Sequence, residues 1–316
     1  MTRHGSDHAF LAHAPYGARA EVPYAGATSF LRTRYSRDLA GADVAVLGVP
    51  YDLGTTNRPG ARFGPRGVRQ ASAQLAWGPP YPWDFDPRDR LAIVDYGDVA
   101  FDVGYVDDMV QAVEAAAGTI IDAGASVLAL GGDHYVSLPL LRAHEQRHGK
   151  LALVHFDAHS DTWRDDLYNH GTMFFHAMNE GLIDPARSVQ IGIRTHNPET
   201  HGFTILDPAA VARLGTDGVA AEIHRVVGGA KAYLSFDIDC LDPAFAPGTG
   251  TPVCGGLSSH QALDTLRRLD GIAFVGMDLT EVAPAYDVAE ITALAGASIA
   301  LQYLSLRAKN RPDRAA

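Results

Sequence analysis

Cysteine is nearly absent from this chain of 316 residues. Cys240 and Cys254 alone occur, too few and too close in sequence to frame a secreted disulfide scaffold, and both are read as reduced thiols. Basic charge is scarce too. The 26 Lys and Arg face 37 Asp and Glu, a formal net charge of -11, which argues against nucleic acid and anionic membrane as partners because each requires a positive footprint. No run approaches the eighteen or so uninterrupted apolar residues of a membrane span, and the opening MTRHGSDHAF carries no apolar signal core. A cytoplasmic protein is expected, with a cationic small molecule suiting its charge balance best.

Apolar residues are plentiful, at 47%, enough for a substantial core. Residues 1–40 show no period and read as an N-terminal arm. After them, strand-length apolar runs fall at 44–49, 91–94, 127–130, 151–156, 189–193, 232–238 and 273–277, most of them apolar on both faces. Helical patterns alternate with them at 106–123, 138–148, 219–227, 259–269 and 291–308. That alternation predicts a largely parallel α/β sheet covered on both sides, within one domain over 41–316 that no linker or repeat divides. In such sheets ligands gather beyond the carboxyl ends of the strands.

Polar residues concentrate at those ends. In VHFDAHSDTW (154–163), His155, Asp157, His159 and Asp161 occupy every second position, so an extended chain projects them from one face. Asp133 and His134 follow another run, Asp237, Asp239 and Asp242 a third, and Asp278 and Glu281 a fourth. So many carboxylates at one edge are tolerable only if some are protonated or cations sit among them. His134, Asp157, His159, Asp161, Asp237 and Asp239 suffice for two divalent ions if one or two aspartates bridge. This oxygen-rich donor set favours Mn²⁺ over Zn²⁺, Co²⁺ or Mg²⁺. Helix caps or loop contacts would account for any one such aspartate; D-x-H-x-D, D-x-D and GGDH together point to metal. A two-ion site activates a shared water, so hydrolysis is the expected reaction, with the electrophile left open between carbon and phosphorus.

At these residues the sequence resembles the ureohydrolases, the arginase and agmatinase family, from about Asp43 to the C-terminus. Three stretches carry the resemblance: GGDHYVSLP at 131–139, VHFDAHSDT at 154–162 and SFDIDCLDPAFAPGTGTPVCGG at 235–256. PGARFGPRGVR (59–69), NHGTMF (169–174), QIGIRT (190–195) and GMDLTEVAPAYD (276–287) are most similar to the agmatinase branch. The resemblance implies a three-layer α/β/α sandwich around a mainly parallel eight-stranded sheet, two Mn²⁺ per subunit and a homo-oligomer, trimer or hexamer. It places one ion on His134, Asp157, Asp161 and Asp237 and the other on Asp157, His159, Asp237 and Asp239, leaving His155 behind the ligands. It makes His170 the proton donor to the departing amine, Glu281 the guanidinium anchor through a contact that can be bidentate, and Thr251 a neighbour of the reacting oxygen.

The substrate implied is a small cationic guanidine. Arginases carry an asparagine two positions past the last aspartate of D-x-H-x-D, where this chain has Trp163, and the loop to His170 is short. Trp163 therefore joins the expected substrate-binding residues and argues against arginine. Asp165 and Asp166 would suit a second ammonium group, which favours agmatine, cleaved to urea and putrescine. Arg164 would suit a carboxylate tail, which keeps guanidinobutyrate or another guanidino acid as the alternative. From a different class, a non-catalytic metal-binding member of the family is the remaining reading; a phosphoesterase lacks support for want of phosphate-binding cations.

Overall fold

A computed structural model describes residue 22 and residues 24–314; residues 1–21 and 23 of the expected arm lie outside them. Nine strands form one sheet: β1 (Arg34–Tyr35), β2 (Val44–Gly48), β3 (Ile93–Asp98), β4 (Ser126–Leu130), β5 (Ala152–Phe156), β6 (Val189–Ile191), β7 (Thr204–Leu206), β8 (Lys231–Asp237) and β9 (Ala273–Thr280). Their spatial order is β1-β3-β2-β4-β9-β8-β5-β6-β7. Every neighbouring pair is parallel. Nine strands stand where the resemblance implies eight and the apolar runs number seven: β7 has no run of its own, and Arg34 and Tyr35 of β1, inside the segment read as an arm, pair with Val94 and Asp95 at the sheet's edge. Two residues cannot display a period, so no apolar pattern announces that strand.

The strands alternate between two cores. Val44, Val46, Leu128, Leu130, Val154 and Phe156 point to one, which holds α1 (Gly64–Ser72), α6 (Pro208–Val227), α7 (Ser259–Arg267) and α8 (Ile291–Ala308). Ala45, Leu47, Val127, Ala129 and Leu153 point to the other, with α3 (Val106–Asp122), α4 (Ser137–His148) and α5 (Met173–Asn179). This is the α/β/α sandwich that apolar-on-both-faces strands require. Among the described residues no helix is long and apolar enough to cross a membrane.

Four helices depart from the sequence patterns: α2 (Pro87–Arg90) and α5 have no pattern of their own, and α1 and α6 differ as follows. α6 starts at Pro208 rather than near 219, capped by the Asp207 side chain accepting from the Ala210 amide, and it bends at Gly215, whose φ of 66° leaves the helical region. That glycine interrupts the apolar period, hiding the first half. α1 escapes notice because GPRGVRQAS is mostly polar, though Val68 and Ala71 pack into the core.

The strands β4, β9, β8 and β5 lie side by side at the centre. Their carboxyl ends lead into residues 131–134, 281, 238–239 and 157–161 respectively, so the four polar motifs converge on one edge. Close contact is needed to seat the first: a Cβ on Gly132 would fall 1.6 Å from the Tyr51 carbonyl oxygen, which only glycine avoids.

Candidate metal centre and active site

His134, buried completely, directs Nδ1 at three carboxylates. Asp161 Oδ2 lies at 2.9 Å, Asp157 Oδ2 at 3.1 Å and Asp237 Oδ2 at 3.2 Å. Its opposite nitrogen fixes the tautomer. Nε2 is 2.8 Å from Ser235 Oγ, which donates its own proton to Asp278 Oδ1 at 2.7 Å, so Nε2 carries the hydrogen and Nδ1 is left as a lone pair. That Nδ1 has no hydrogen-bond partner. A lone pair and three carboxylate oxygens within about one ligand radius of each other repel unless a cation stands between them.

A second group adjoins the first. His159 Nδ1 lies 3.3 Å from Asp157 Oδ1 and 3.1 Å from Asp239 Oδ2. Asp157 therefore turns one oxygen to each histidine, the arrangement of a bridging carboxylate. Asp237 joins the first group, and its Oδ1 accepts the Asp239 amide at 2.8 Å. Asp161 holds its position with φ of 51°, in the left-handed region that non-glycine residues enter at a cost.

The electrostatics agree with an ion-binding cluster. Burial and the Asp239 and Asp157 charges hold Asp237 well above the usual carboxylate range, and burial with Asp157 pushes Asp161 up to about 6. Against the penalty of burial, Asp239 and Asp157 drive His159 up to about 12. His134 is likewise raised well above its ordinary value by Asp157, Asp161 and Asp237 although burial opposes it. Such shifts mark a cluster whose charge calls for positive partners. The residues present thus fit a pair of divalent ions, by donor chemistry and by the orphaned His134 nitrogen.

His155 stands behind the ligands. Gln190 must donate its amide to the Ser160 carbonyl at 2.6 Å, so the same Nε2 also donates to His155 Nδ1 at 3.0 Å. The remaining His155 hydrogen, on Nε2, goes to Asp157 Oδ2 at 2.7 Å and orients that carboxylate. Asp133, Asp242 and Asp278 are the aspartates for which local roles hold. Asp133 accepts from the Gly54 and Tyr135 amides, Asp242 from the Gly255 and Gly256 amides, and Asp278 from the Ser137 and Ser235 hydroxyls.

A cleft of about 410 Å³ opens over the cluster, lined by His159, Asp161, Asp237, Trp163, Asp165 and His170 among others, a volume within the small-ligand range. Thr251 also lines it and donates to Asp239 Oδ2 at 3.2 Å. Trp163 is half-exposed at the wall, and Arg164 shares the wall while reaching Glu199 at 4.0 Å. Asp166 is not among the lining residues.

Glu281 is placed by an unusual backbone, φ 62°, just past β9. Its Oε1 accepts the His134 amide at 2.9 Å and the His170 ring at 2.8 Å. Oε2 is buried without a partner. Both lone pairs of Oε1 are thus committed, and a cationic guest would be received by Oε2 alone rather than by a two-oxygen fork. A Cβ on Gly250 would stand 3.2 Å from Oε2 and crowd that approach.

Thr56 was not among the residues anticipated from sequence. Its amide can only donate, and it donates to His170 Nε2 at 3.0 Å, which puts the ring hydrogen on Nδ1, toward Glu281. The Thr56 hydroxyl lies 2.7 Å from the same Nε2, and Thr56 lines the cleft. The signal for it was positional: LGTTNRPG follows the carboxyl end of β2. Burial opposes protonation of His170, yet the Glu281 carboxylate pushes it up to about 9; dications in the cluster would pull it back down.

A sequence profile of the arginase family matches residues 42–305. An agmatinase of Chromobacterium violaceum is 54% identical over 295 residues, 92% of each chain. The crystal structure of a hypothetical agmatinase from Burkholderia thailandensis superposes with a TM-score of 0.94 at 54% identity, covering 96% of this chain and 98% of that one. A proclavaminate amidino hydrolase from Streptomyces clavuligerus superposes with a TM-score of 0.87 at 39% identity, covering 92% and 99%.

Proposed function

The chain belongs to the arginase family, and from that premise we propose that it hydrolyses agmatine to putrescine and urea with two Mn²⁺ ions in the acidic cluster. The observation that carries the reading is a cleft over a cation-demanding cluster, lined by His170, whose ring is bonded to Glu281 Oε1 while the other oxygen of that carboxylate, Oε2, is buried without a partner. Identity of 54% to a curated agmatinase across 92% of both chains supports the substrate.

His134, Asp157, Asp161 and Asp237 would hold one ion, and Asp157, His159, Asp237 and Asp239 the other. Ions held there would supply the acidity that makes water a nucleophile toward a guanidino carbon near neutral pH. The protein's own groups do the rest. Glu281 Oε2 receives the guanidinium through charge-assisted hydrogen bonds and fixes the carbon's orientation. Thr251 steadies Asp239. Proton delivery to the departing nitrogen falls to His170, whose Nε2 must first part from the Thr56 amide and take up a proton. Hydrolysis then balances: the carbon keeps the water oxygen as urea, and the amine leaves protonated.

At the open end, the Trp163 indole would cover the tetramethylene chain and Asp165 would face the ammonium. Arg164 on the same wall keeps 4-guanidinobutyrate as the second reading. A urea-release panel with Mn²⁺ separates them. Agmatine should exceed both arginine and 4-guanidinobutyrate by at least an order of magnitude in kcat/KM; parity or reversal would overturn the substrate assignment.

A further inference from the structure

Arg194, just past the end of β6, holds a half-buried guanidinium with no carboxylate within ion-pair distance among the described residues. All its donors go to main-chain oxygens. Nη2 donates to Asp239 O at 2.7 Å, to Val253 O at 2.7 Å and to Leu241 O at 3.3 Å. Nη1 donates to Gly192 O at 3.1 Å and Cys240 O at 3.2 Å, and Nε to Val253 O at 3.1 Å. One planar fork thereby ties the turn that presents Asp239 to the loop that presents Thr251.

The residue's backbone reaches the third segment. The Arg194 amide donates to Ala158 O at 2.9 Å, and Ala158, between Asp157 and His159, donates its own amide to Asp239 Oδ1 at 3.1 Å. Three chain segments that are remote in sequence meet at this residue: 157–159, 239–241 and 251–253. They are the segments carrying His159, Asp239 and Thr251. Nothing comparable links Arg194 to His134 or Asp161, which sit on β4's exit and on the 160s loop.

From this asymmetry we propose that Arg194 is a positioning residue for the second half of the metal centre, the part built on His159 and Asp239. It sets the spacing of those two ligands while leaving the His134 and Asp161 half unaffected. The inference rests on the two-ion reading above. A lysine retains the charge but has three donors in place of five, and no fork, so Arg194→Lys isolates geometry from electrostatics.

The test is a Mn²⁺ titration of the full chain, read by calorimetry and by the exchange-coupled signal that two adjacent Mn²⁺ ions give in electron paramagnetic resonance. The unmodified protein should bind two equivalents with a coupled signal; if it does not, the two-ion reading itself fails. In Arg194→Lys the first equivalent should bind within about threefold of the parent affinity. The second should weaken tenfold or more, with the coupled signal replaced by that of a single Mn²⁺. Arg194→Met should do the same, showing that the fork and not the charge decides. Equal weakening of both equivalents, parent-like binding of both, or failure of both variants to fold would each overturn the proposal, the last by making Arg194 a general scaffold residue.

Discussion

Replacing Glu281 by glutamine changes one atom and no volume, and the structure says what should follow. Oε1 is held by the His134 amide at 2.9 Å and the His170 ring at 2.8 Å, both donors. The glutamine must therefore keep its carbonyl oxygen there and turn its NH2 into the place of Oε2. That NH2 would meet a guanidinium donor to donor, and the charge is gone. The loss is one to two charge-assisted hydrogen bonds at about 1.5–3 kcal/mol each, tempered by water entering the cleft. Taking about 2–4 kcal/mol overall, kcat/KM for agmatine should fall roughly 30- to 700-fold at 1.4 kcal/mol per decade. Metal content should remain that of the parent because Glu281 is not among the proposed ligands. His170, relieved of the carboxylate, should titrate lower than in the parent. Urea release measured across substrate concentrations, beside metal analysis of the same samples, supplies the comparison. A fall of less than tenfold with the parent metal content would refute the anchoring role.

Three further outcomes follow from the site. His170→Asn should lower kcat by about 10²–10⁴, the usual worth of a positioned acid, with Mn²⁺ content unchanged; unaltered turnover would remove His170 from the chemistry. Mn²⁺ uptake should expel protons, because His159, pushed up to about 12 by Asp239 and Asp157, is protonated in the metal-free cluster at neutral pH. Affinity should therefore rise with pH, by about tenfold per unit for each proton released, and it should drop further below pH 6 as Asp161 takes up its proton. Calorimetry in buffers of different ionisation enthalpy counts those protons, and uptake without release would contradict the pKa ordering. Asp165→Asn should raise KM for agmatine only about two- to fivefold, since exposed ion pairs contribute about 0.2–1 kcal/mol. It should leave n-butylguanidine, which has no ammonium, unaffected; an equal change for both would deny Asp165 the amine.

The parts of this centre that sequence displays are those whose geometry is local. D-x-H-x-D is legible because it directly follows an apolar strand, as GGDH and D-x-D do, but the period-two expectation does not hold: the chain leaves β5 at Phe156, bends at 158–159 and turns through a left-handed Asp161, so loop geometry gathers these side chains. Thr56 was not legible: its role arises from the β2 exit loop packing against His170, 114 residues away. The function of Arg194 was equally hidden, since five carbonyls from three separate stretches have no side-chain signature. The freedom of Glu281 to use both oxygens also looked open in sequence, and only the His134 amide and His170 ring show one oxygen to be occupied. Edge strand β1 and the first half of α6 were missed for a simpler reason, brevity in one and a helix-breaking Gly215 in the other.

The account stands on the demand of the acidic cluster for two positive ions. Protein equilibrated with Mn²⁺ and freed of excess metal should retain two ions per chain. Asp157→Ala, which removes the carboxylate shared by both histidines, should retain no more than one. Retention of a single ion by the parent chain, or of two by Asp157→Ala, would contradict the binuclear site from which every proposed step proceeds.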